Sequence, residues 1–136
     1  DLETLMRNSD FVSINVSLLP STRDLIGEKE IALMKPTAFL VNCSRGGIVN
    51  EDALIAALQT RKIAGAGLDT FVQEPLPKEH PFCKLDNVIL TPHAAWYTTD
   101  AMKSVQRVAA EQVALVLTGK EPTRCVNYEA AKKNRK

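Results

Sequence analysis

The sequence has little of several features that mark specialised proteins. Its three cysteines, Cys43, Cys83 and Cys125, are widely separated and lack the close pairs that metal sites use. Seventeen basic and sixteen acidic residues give a net charge of +1, which argues against a nucleic-acid-binding domain. No apolar run is long enough to span a membrane, and no signal peptide is recognisable. We therefore expect a cytoplasmic protein without a metal, membrane or nucleic-acid partner.

The composition is that of an ordinary globular protein. The chain has 136 residues, of which 45% are hydrophobic and 24% are charged. This size predicts one domain with its own core. The one concentration of charge is a basic cluster at the carboxyl end, which we expect to be frayed and solvated: Lys132, Lys133, Arg135 and Lys136.

Four apolar stretches alternate with segments whose apolar residues recur at helical spacing. This alternation is typical of a parallel α/β sheet. The predicted strands are residues 11–19, 38–44, 64–71 and 87–90. Pro20 closes the first strand because it cannot donate to a strand ladder. Gly46 and Gly47 permit a sharp turn after the second.

Helix signals lie between and after these strands. Short helices are predicted at residues 2–7 and 28–34, and a third begins at Asn50, which can cap its first turn. The longest helix begins near residues 98–100 and ends at Gly119. One side of this long helix carries an apolar stripe: Met102, Val105, Val108, Ala109, Val113 and Val116.

Polar side chains that could take part in binding or catalysis follow three of the predicted strands. Arg45 follows the second strand, Asp69 and Glu74 follow the third, and His93 follows the fourth. In a parallel sheet these strand ends share one edge, which is where ligands bind. An arginine can grip a carboxylate in two places, a histidine can move a proton, and a glutamate can orient that histidine. The set predicts proton transfer at a carbon that bears oxygen.

Each of these residues also has a structural interpretation. Arg45 could cap a strand end, Glu74 could be a solvated loop residue, and Asp69 could cap a turn. A single histidine such as His93 is more often structural than catalytic. Position at a shared edge is what favours the functional interpretation.

Two further residues are interpreted as non-catalytic. Cys43 lies in an apolar stretch, so we expect a small buried side chain that packs beside a ligand rather than a nucleophile. His80 lies between Glu79 and Pro81 in a proline-bearing loop. We expect it to be a surface residue.

Three motifs in order identify a family. They are NCSRGGIVNEDALIAAL, AGAGLDTFVQEPLP and NVILTPHAAW, and the similarity extends from about Asp1 to the helix that ends near Gly119. The chain resembles the D-isomer-specific 2-hydroxyacid dehydrogenases, which include phosphoglycerate dehydrogenase and formate dehydrogenase. The resemblance implies a Rossmann-like parallel sheet, with residues 1–98 as the second half of an NAD-binding domain. Residues 99–136 would be a long helix and tail leading back toward an absent substrate domain.

The resemblance also implies roles for the edge residues. Arg45 would bind the substrate carboxylate and polarise its carbonyl. His93 would donate a proton to the carbonyl oxygen as hydride arrives from the nicotinamide, or remove one in oxidation. Glu74 would hydrogen-bond the histidine and support its protonated state. The implied reaction interconverts a 2-keto and a 2-hydroxy acid.

The implied cofactor is NAD, with NADP left open. Asp69 matches the family aspartate near the nicotinamide carboxamide. Four other positions match the cofactor lining or face the nicotinamide: Cys43, Ser44, Arg45 and His93, together with the backbone near Val16. The family also implies a homodimer in the full-length protein.

Two departures from the family pattern qualify these expectations. The glycine-rich phosphate loop and its following acidic residue are missing, so we expect little or no activity from these residues in isolation. After His93 the sequence continues Ala94-Ala95-Trp96-Tyr97, where many members have glycine and smaller residues. Trp96 could wall the pocket and select larger or apolar substituents, or it could be a core tryptophan at a helix start.

The tryptophan opens an alternative function. The run after His93, and Cys125-Val126-Asn127 further on, are similar to the carboxyl-terminal-binding-protein corepressors of the same family. That branch implies a dinucleotide-sensing protein-interaction module in place of an enzyme. The sequence leaves the choice between the two open, and it leaves the particular 2-hydroxy acid open as well.

Overall fold

Four short strands form one parallel sheet in the computed structural model, which describes residues 1–128 and Lys132. Their order in space is the order in the chain, with parallel pairing throughout. The strands are β1 (Phe11–Ile14), β2 (Phe39–Asn42), β3 (Gly65–Leu68) and β4 (Val88–Leu90). The predicted parallel α/β class is confirmed.

Helices connect and precede the strands. They are α1 (Leu2–Asn8), α2 (Glu28–Leu33), α3 (Glu51–Gln59) and α4 (Thr99–Leu117), with a short 3₁₀ helix at Pro81–Lys84. The cap predicted for α3 is confirmed, because the Asn50 side chain accepts a hydrogen bond from the Ala53 N–H at 2.9 Å.

The strands are shorter than the apolar stretches that predicted them. The first stretch was expected to be a strand to residue 19, but β1 ends at Ile14. Beyond that point the backbone leaves the ladder, and the Val16 carbonyl accepts from the Ser44 hydroxyl. The remaining apolar residues therefore belong to a loop at the carboxyl edge of the sheet.

One face of the sheet carries the core. Burial alternates along β1 and β2, where Val12, Ile14 and Leu40 are buried while Phe11 and Phe39 are exposed. The inward side chains join a single apolar cluster with residues of the first three helices, among them Met6, Ile31, Leu54 and Leu58. These helices fix the sheet from one side, so that the strand ends and their loops are held in place.

The chain divides into two compact units, Asp1–Ala95 and Trp96–Lys136. The second contains α4, which has no buried residue within the part of the chain that the structure describes. Within its predicted apolar stripe, Val105 and Val113 are exposed, while Met102, Val108 and Val116 are half-buried.

The predicted end of α4 is confirmed by its backbone geometry. Gly119 adopts a φ of +76°, and the Lys120 N–H donates to the Leu115 carbonyl at 2.8 Å, which closes the helix. Most of the expected basic tail, namely Lys133, Arg135 and Lys136, lies outside the described residues. No helix among the described residues has the length and apolarity needed to cross a membrane.

Candidate active site

A buried asparagine shapes the turn after β2. The Asn42 amide donates to the Arg45 carbonyl at 3.0 Å, and its oxygen accepts from the Ser44 N–H at 3.1 Å. The Ser44 hydroxyl donates to the Val16 carbonyl at 2.5 Å. These bonds join the ends of β1 and β2 and place Arg45 at the carboxyl edge of the sheet.

A polar crevice of about 470 Å³ lies at these two strand ends. It is lined by Asn15, Val16, Ser17, Leu18, Ser44 and Arg45. Its volume is in the range of small-molecule sites, and parallel sheets bind dinucleotides at such strand ends. The crevice therefore fits part of a dinucleotide, and three of its lining residues are among those predicted to contact the cofactor.

The expected burial of Cys43 is wrong. Its side chain is exposed, because β2 ends one residue earlier and Cys43 belongs to the turn. Among the described residues it is not part of the crevice lining. A cofactor contact by Cys43 stays a prediction.

Asp69 anchors the loop that carries His93. It follows β3 directly and is 2% exposed, and its carboxylate accepts from the Thr91 hydroxyl and from the Ala94 and Ala95 N–H groups at 2.8 and 2.9 Å. Burial raises the pKa of Asp69, but these hydrogen bonds outweigh it and hold the pKa below its ordinary value. The contacts are those of a turn anchor, while the role near the carboxamide stays a prediction.

His93 and Glu74 form a hydrogen-bonded pair. His93 Nδ1 lies 2.8 Å from Glu74 Oε2, with the two side chains 37% and 36% exposed. The histidine has a φ of +53°, a left-handed conformation that costs energy in a residue other than glycine. The surrounding loop holds this conformation through Asp69. The structure thus brings together two residues that are 19 positions apart in the sequence.

Glu74 is held as a carboxylate. Its hydrogen bond with His93 and a second one from the Phe71 N–H, at 2.9 Å, keep the pKa of Glu74 below its ordinary value. The charge of Arg45 lowers the same pKa to a smaller extent. An ionised carboxylate on Nδ1 fixes the orientation of the imidazole ring. The arrangement can therefore support proton transfer by His93.

Arg45 is exposed at the same edge, and one of its N–H groups donates to the Ser44 carbonyl at 2.7 Å. A guanidinium has five N–H donors, so this bond leaves donors for an anionic ligand. A second cavity, of about 340 Å³ and with a mostly apolar lining, includes Glu74 and His93. Within the described residues no group of three or more histidine, cysteine or acidic side chains could hold a metal ion.

One other sequence expectation is wrong. His80 is not a surface residue, because its side chain is only 19% exposed and its ring packs 5.0 Å from that of Phe82. Its ring nitrogen caps the 3₁₀ helix by accepting from the Phe82 N–H. Trp96 is 52% exposed in this chain and lies edge-on to Tyr97. Its pocket role stays a prediction.

Sequence reasoning did not predict the contacts of three residues that build this edge. Asn42 is a polar residue at an inward position of an apolar strand, a pattern that could have marked it. Thr91 and Glu51 gave no such signal, since their partners Asp69 and Val72 lie about twenty positions away in sequence.

Comparisons with known proteins match the whole of the sheet unit. The protein family described as "D-isomer specific 2-hydroxyacid dehydrogenase, NAD binding domain" matches residues 1–95 of this chain. A glyoxylate reductase from Thermofilum pendens is 47% identical over 132 residues, covering 97% of this chain and 39% of that protein. A D-3-phosphoglycerate dehydrogenase from Methanocaldococcus jannaschii is 46% identical over 127 residues, covering 93% of this chain and 24% of that protein.

The fold likeness extends to solved structures. The crystal structure of D-lactate dehydrogenase with NAD+ from Lactobacillus jensenii has a TM-score of 0.87 at 32% identity, covering 93% of this chain and 42% of that one. This likeness confirms the expected Rossmann-like architecture. The chain spans less than half the length of each of these three proteins.

Proposed function

The chain belongs to the D-isomer specific 2-hydroxyacid dehydrogenase family, and on that premise we propose that the full-length protein interconverts a 2-keto and a 2-hydroxy acid with NAD. The observation that carries the proposal is the His93–Glu74 pair, 2.8 Å apart at the carboxyl edge of a parallel sheet. Arg45 stands at the same edge. The cofactor, when bound, supplies or accepts the hydride.

In this reaction Arg45 binds the substrate. Its guanidinium can hold the carboxylate of a 2-keto acid through two N–H groups, which places the neighbouring carbonyl at the sheet edge. The exposure of Arg45 leaves it accessible to such an anion. Ser44 and Val16 line the adjacent crevice, and they would hold part of the cofactor there.

His93 transfers the proton. Because Glu74 engages Nδ1, we assign the exchange with the substrate oxygen to Nε2. The ionised Glu74 stabilises the imidazolium and prevents the ring from turning. Asp69 anchors the same loop through its hydrogen bonds and contributes no proton.

We also propose roles for the carboxyl-terminal residues and for the assembly of the full-length protein. Residues 99–136 lead from the NAD-binding domain toward a substrate domain, Trp96 walls the substrate pocket, and two copies form a homodimer in the cytoplasm. The relatives named above are enzymes, and they lend no support to the corepressor-like alternative.

The test is NADH oxidation by the full-length protein with a panel of 2-keto acids. We expect His93→Asn to lower kcat by about a hundredfold or more, the range of lost acid-base catalysis. Asparagine tolerates the left-handed backbone of this position, so the loop should keep its conformation. NADH binding, followed by fluorescence, should be retained. Turnover that is insensitive to the substitution would remove the assignment of His93.

A further inference from the structure

We propose that Glu51 is a positioning residue for the His93–Glu74 pair, because its carboxylate holds the Phe71–Val72 peptide of the loop that presents Glu74. The proposal rests on the proposed function, since it gives Glu51 a part in the same reaction. Glu51 begins α3, where a first-turn acid would ordinarily be explained by the helix dipole alone. Its contacts go beyond that explanation.

The first contact fixes the loop to the helix. The Val72 N–H donates to Glu51 Oε1 at 2.7 Å, and the Glu51 side chain is only 20% exposed. A hydrogen bond from a backbone N–H to a carboxylate is charge-assisted and stronger than one between neutral groups. The carboxylate therefore ties the segment after β3 to a rigid element.

The second observation is that the neighbouring N–H group holds Glu74. The Phe71 N–H donates to Glu74 Oε1 at 2.9 Å, while Glu74 Oε2 faces His93. Two consecutive backbone N–H groups thus each donate to a carboxylate, one to the reactive pair and one to α3. A displacement of Val72 would move Phe71 with it, and so would shift the N–H group that holds Glu74 Oε1 in place.

The third observation links this peptide to the turn of Arg45. A Cβ built on Gly46 would lie 2.0 Å from the Phe71 carbonyl carbon and 2.5 Å from the Val72 nitrogen. Only glycine allows the two backbones to approach this closely. The peptide held by Glu51 is therefore the place where the turn after β2 meets the loop after β3.

The other oxygen of Glu51 also has a neighbour. His80 Nε2 lies 3.8 Å from Glu51 Oε2, and His80 Nδ1 accepts from the Phe82 N–H at 3.3 Å. With Nδ1 as an acceptor, the neutral ring carries its proton on Nε2, toward Glu51. This separation is longer than a hydrogen bond, so His80 is a neighbour of the Glu51 carboxylate, and the Val72 N–H remains its hydrogen-bond partner.

The experiment compares four variants of the full-length protein: Glu51→Ala, Glu51→Gln, Glu51→Asp and Asp52→Ala. Glutamine keeps an oxygen for the Val72 N–H, whereas aspartate keeps the charge but is one methylene shorter. Asp52 is exposed in the same first turn, so its removal changes the helix charge and leaves the Val72 bond in place. The readouts are amide hydrogen exchange at Val72, the titration of the Glu74 carboxyl by NMR, and kcat.

We expect Glu51→Ala to speed exchange at Val72 and to raise the pKa of Glu74 toward its ordinary value. We expect its kcat to fall by about tenfold or more, as a small misplacement of reactive groups does. Glu51→Asp should change all three readouts in the same direction, and Glu51→Gln should change them less than Glu51→Ala does, because it keeps an oxygen for the Val72 N–H. Asp52→Ala should match the wild type.

The proposal is overturned if Glu51→Ala matches Asp52→Ala in all three readouts. It is also overturned if Glu51→Ala fails to fold and Glu51→Asp behaves as the wild type. Should His93→Asn leave turnover unchanged, the proposed function is lost, but hydrogen exchange and the Glu74 titration still judge Glu51. If His93→Asn is slow and Glu51→Ala is normal, only the role of Glu51 is lost.

Discussion

Two carboxylates contact the segment around His93, and they differ in burial, partners and consequence. Asp69 lies beneath the loop, is 2% exposed, and accepts hydrogen bonds from loop donors at Thr91, Ala94 and Ala95. Glu74 lies beside the imidazole, with 36% of its side chain exposed, and one of its oxygens faces His93 Nδ1. The lowered pKa values of these two carboxyls therefore have different causes. One carboxylate maintains the backbone, and the other can act on the reaction.

We expect the largest difference between the two carboxylates in turnover. Glu74→Gln keeps the size of the side chain but removes its charge, so it can no longer stabilise the imidazolium. We expect kcat of the full-length protein to fall by about a hundredfold, with little change in the unfolding midpoint. Glu79→Gln, an exposed change in the same loop region, is the matched control. Equal kcat values for the two variants would assign Glu74 to the solvated loop.

A smaller effect is expected on stability. Asp69→Ala strands donors of the loop in a largely buried site, and we expect it to lower the free energy of unfolding by about 2 kcal/mol. Urea denaturation measures this change. The control is Asp86→Ala, which removes an exposed ion pair with Arg61 and should cost less than about 1 kcal/mol. An Asp69→Ala variant as stable as the control would show that Asp69 does not anchor the loop.

The smallest effect is the slope of stability with pH. Both carboxyls have a lowered pKa in the folded chain. Their stabilisation is therefore complete above their ordinary pKa values, 3.8 for Asp69 and 4.5 for Glu74, and is lost as the pH falls through the lower folded values. We expect Glu74→Gln to lose stability less steeply than the wild type on acidification, as measured by urea midpoints. Parallel curves would show that Glu74 titrates alike in both states.

The sequence predicted the arrangement of the edge because parallel strands end on the same side. Arg45, Glu74 and His93 were placed there by the alternation of strands and helices alone. The lengths of the strands were less accurate, since apolar residues such as Val16 and Leu18 continue into loops. Cys43 was misplaced for the same reason.

The contacts that fix the side chains could not be predicted in this way. Asp69 finds Thr91, and Glu51 finds Val72, across more than twenty positions of sequence. Such pairs depend on the conformation of each loop, which the periodicity of apolar residues does not predict. His80 shows the same limit, because a histidine in a polar loop turned out to pack against Phe82 and face Glu51.

In the proposed function, His93 and Glu74 act as one unit in proton transfer. The most direct test is a double-mutant cycle on kcat with His93→Asn, Glu74→Gln and the variant that carries both. If the two residues act together, the double variant should be no slower than His93→Asn alone. Effects that multiply in full, with each substitution slowing the reaction as much in the presence of the other as in its absence, would contradict the claim.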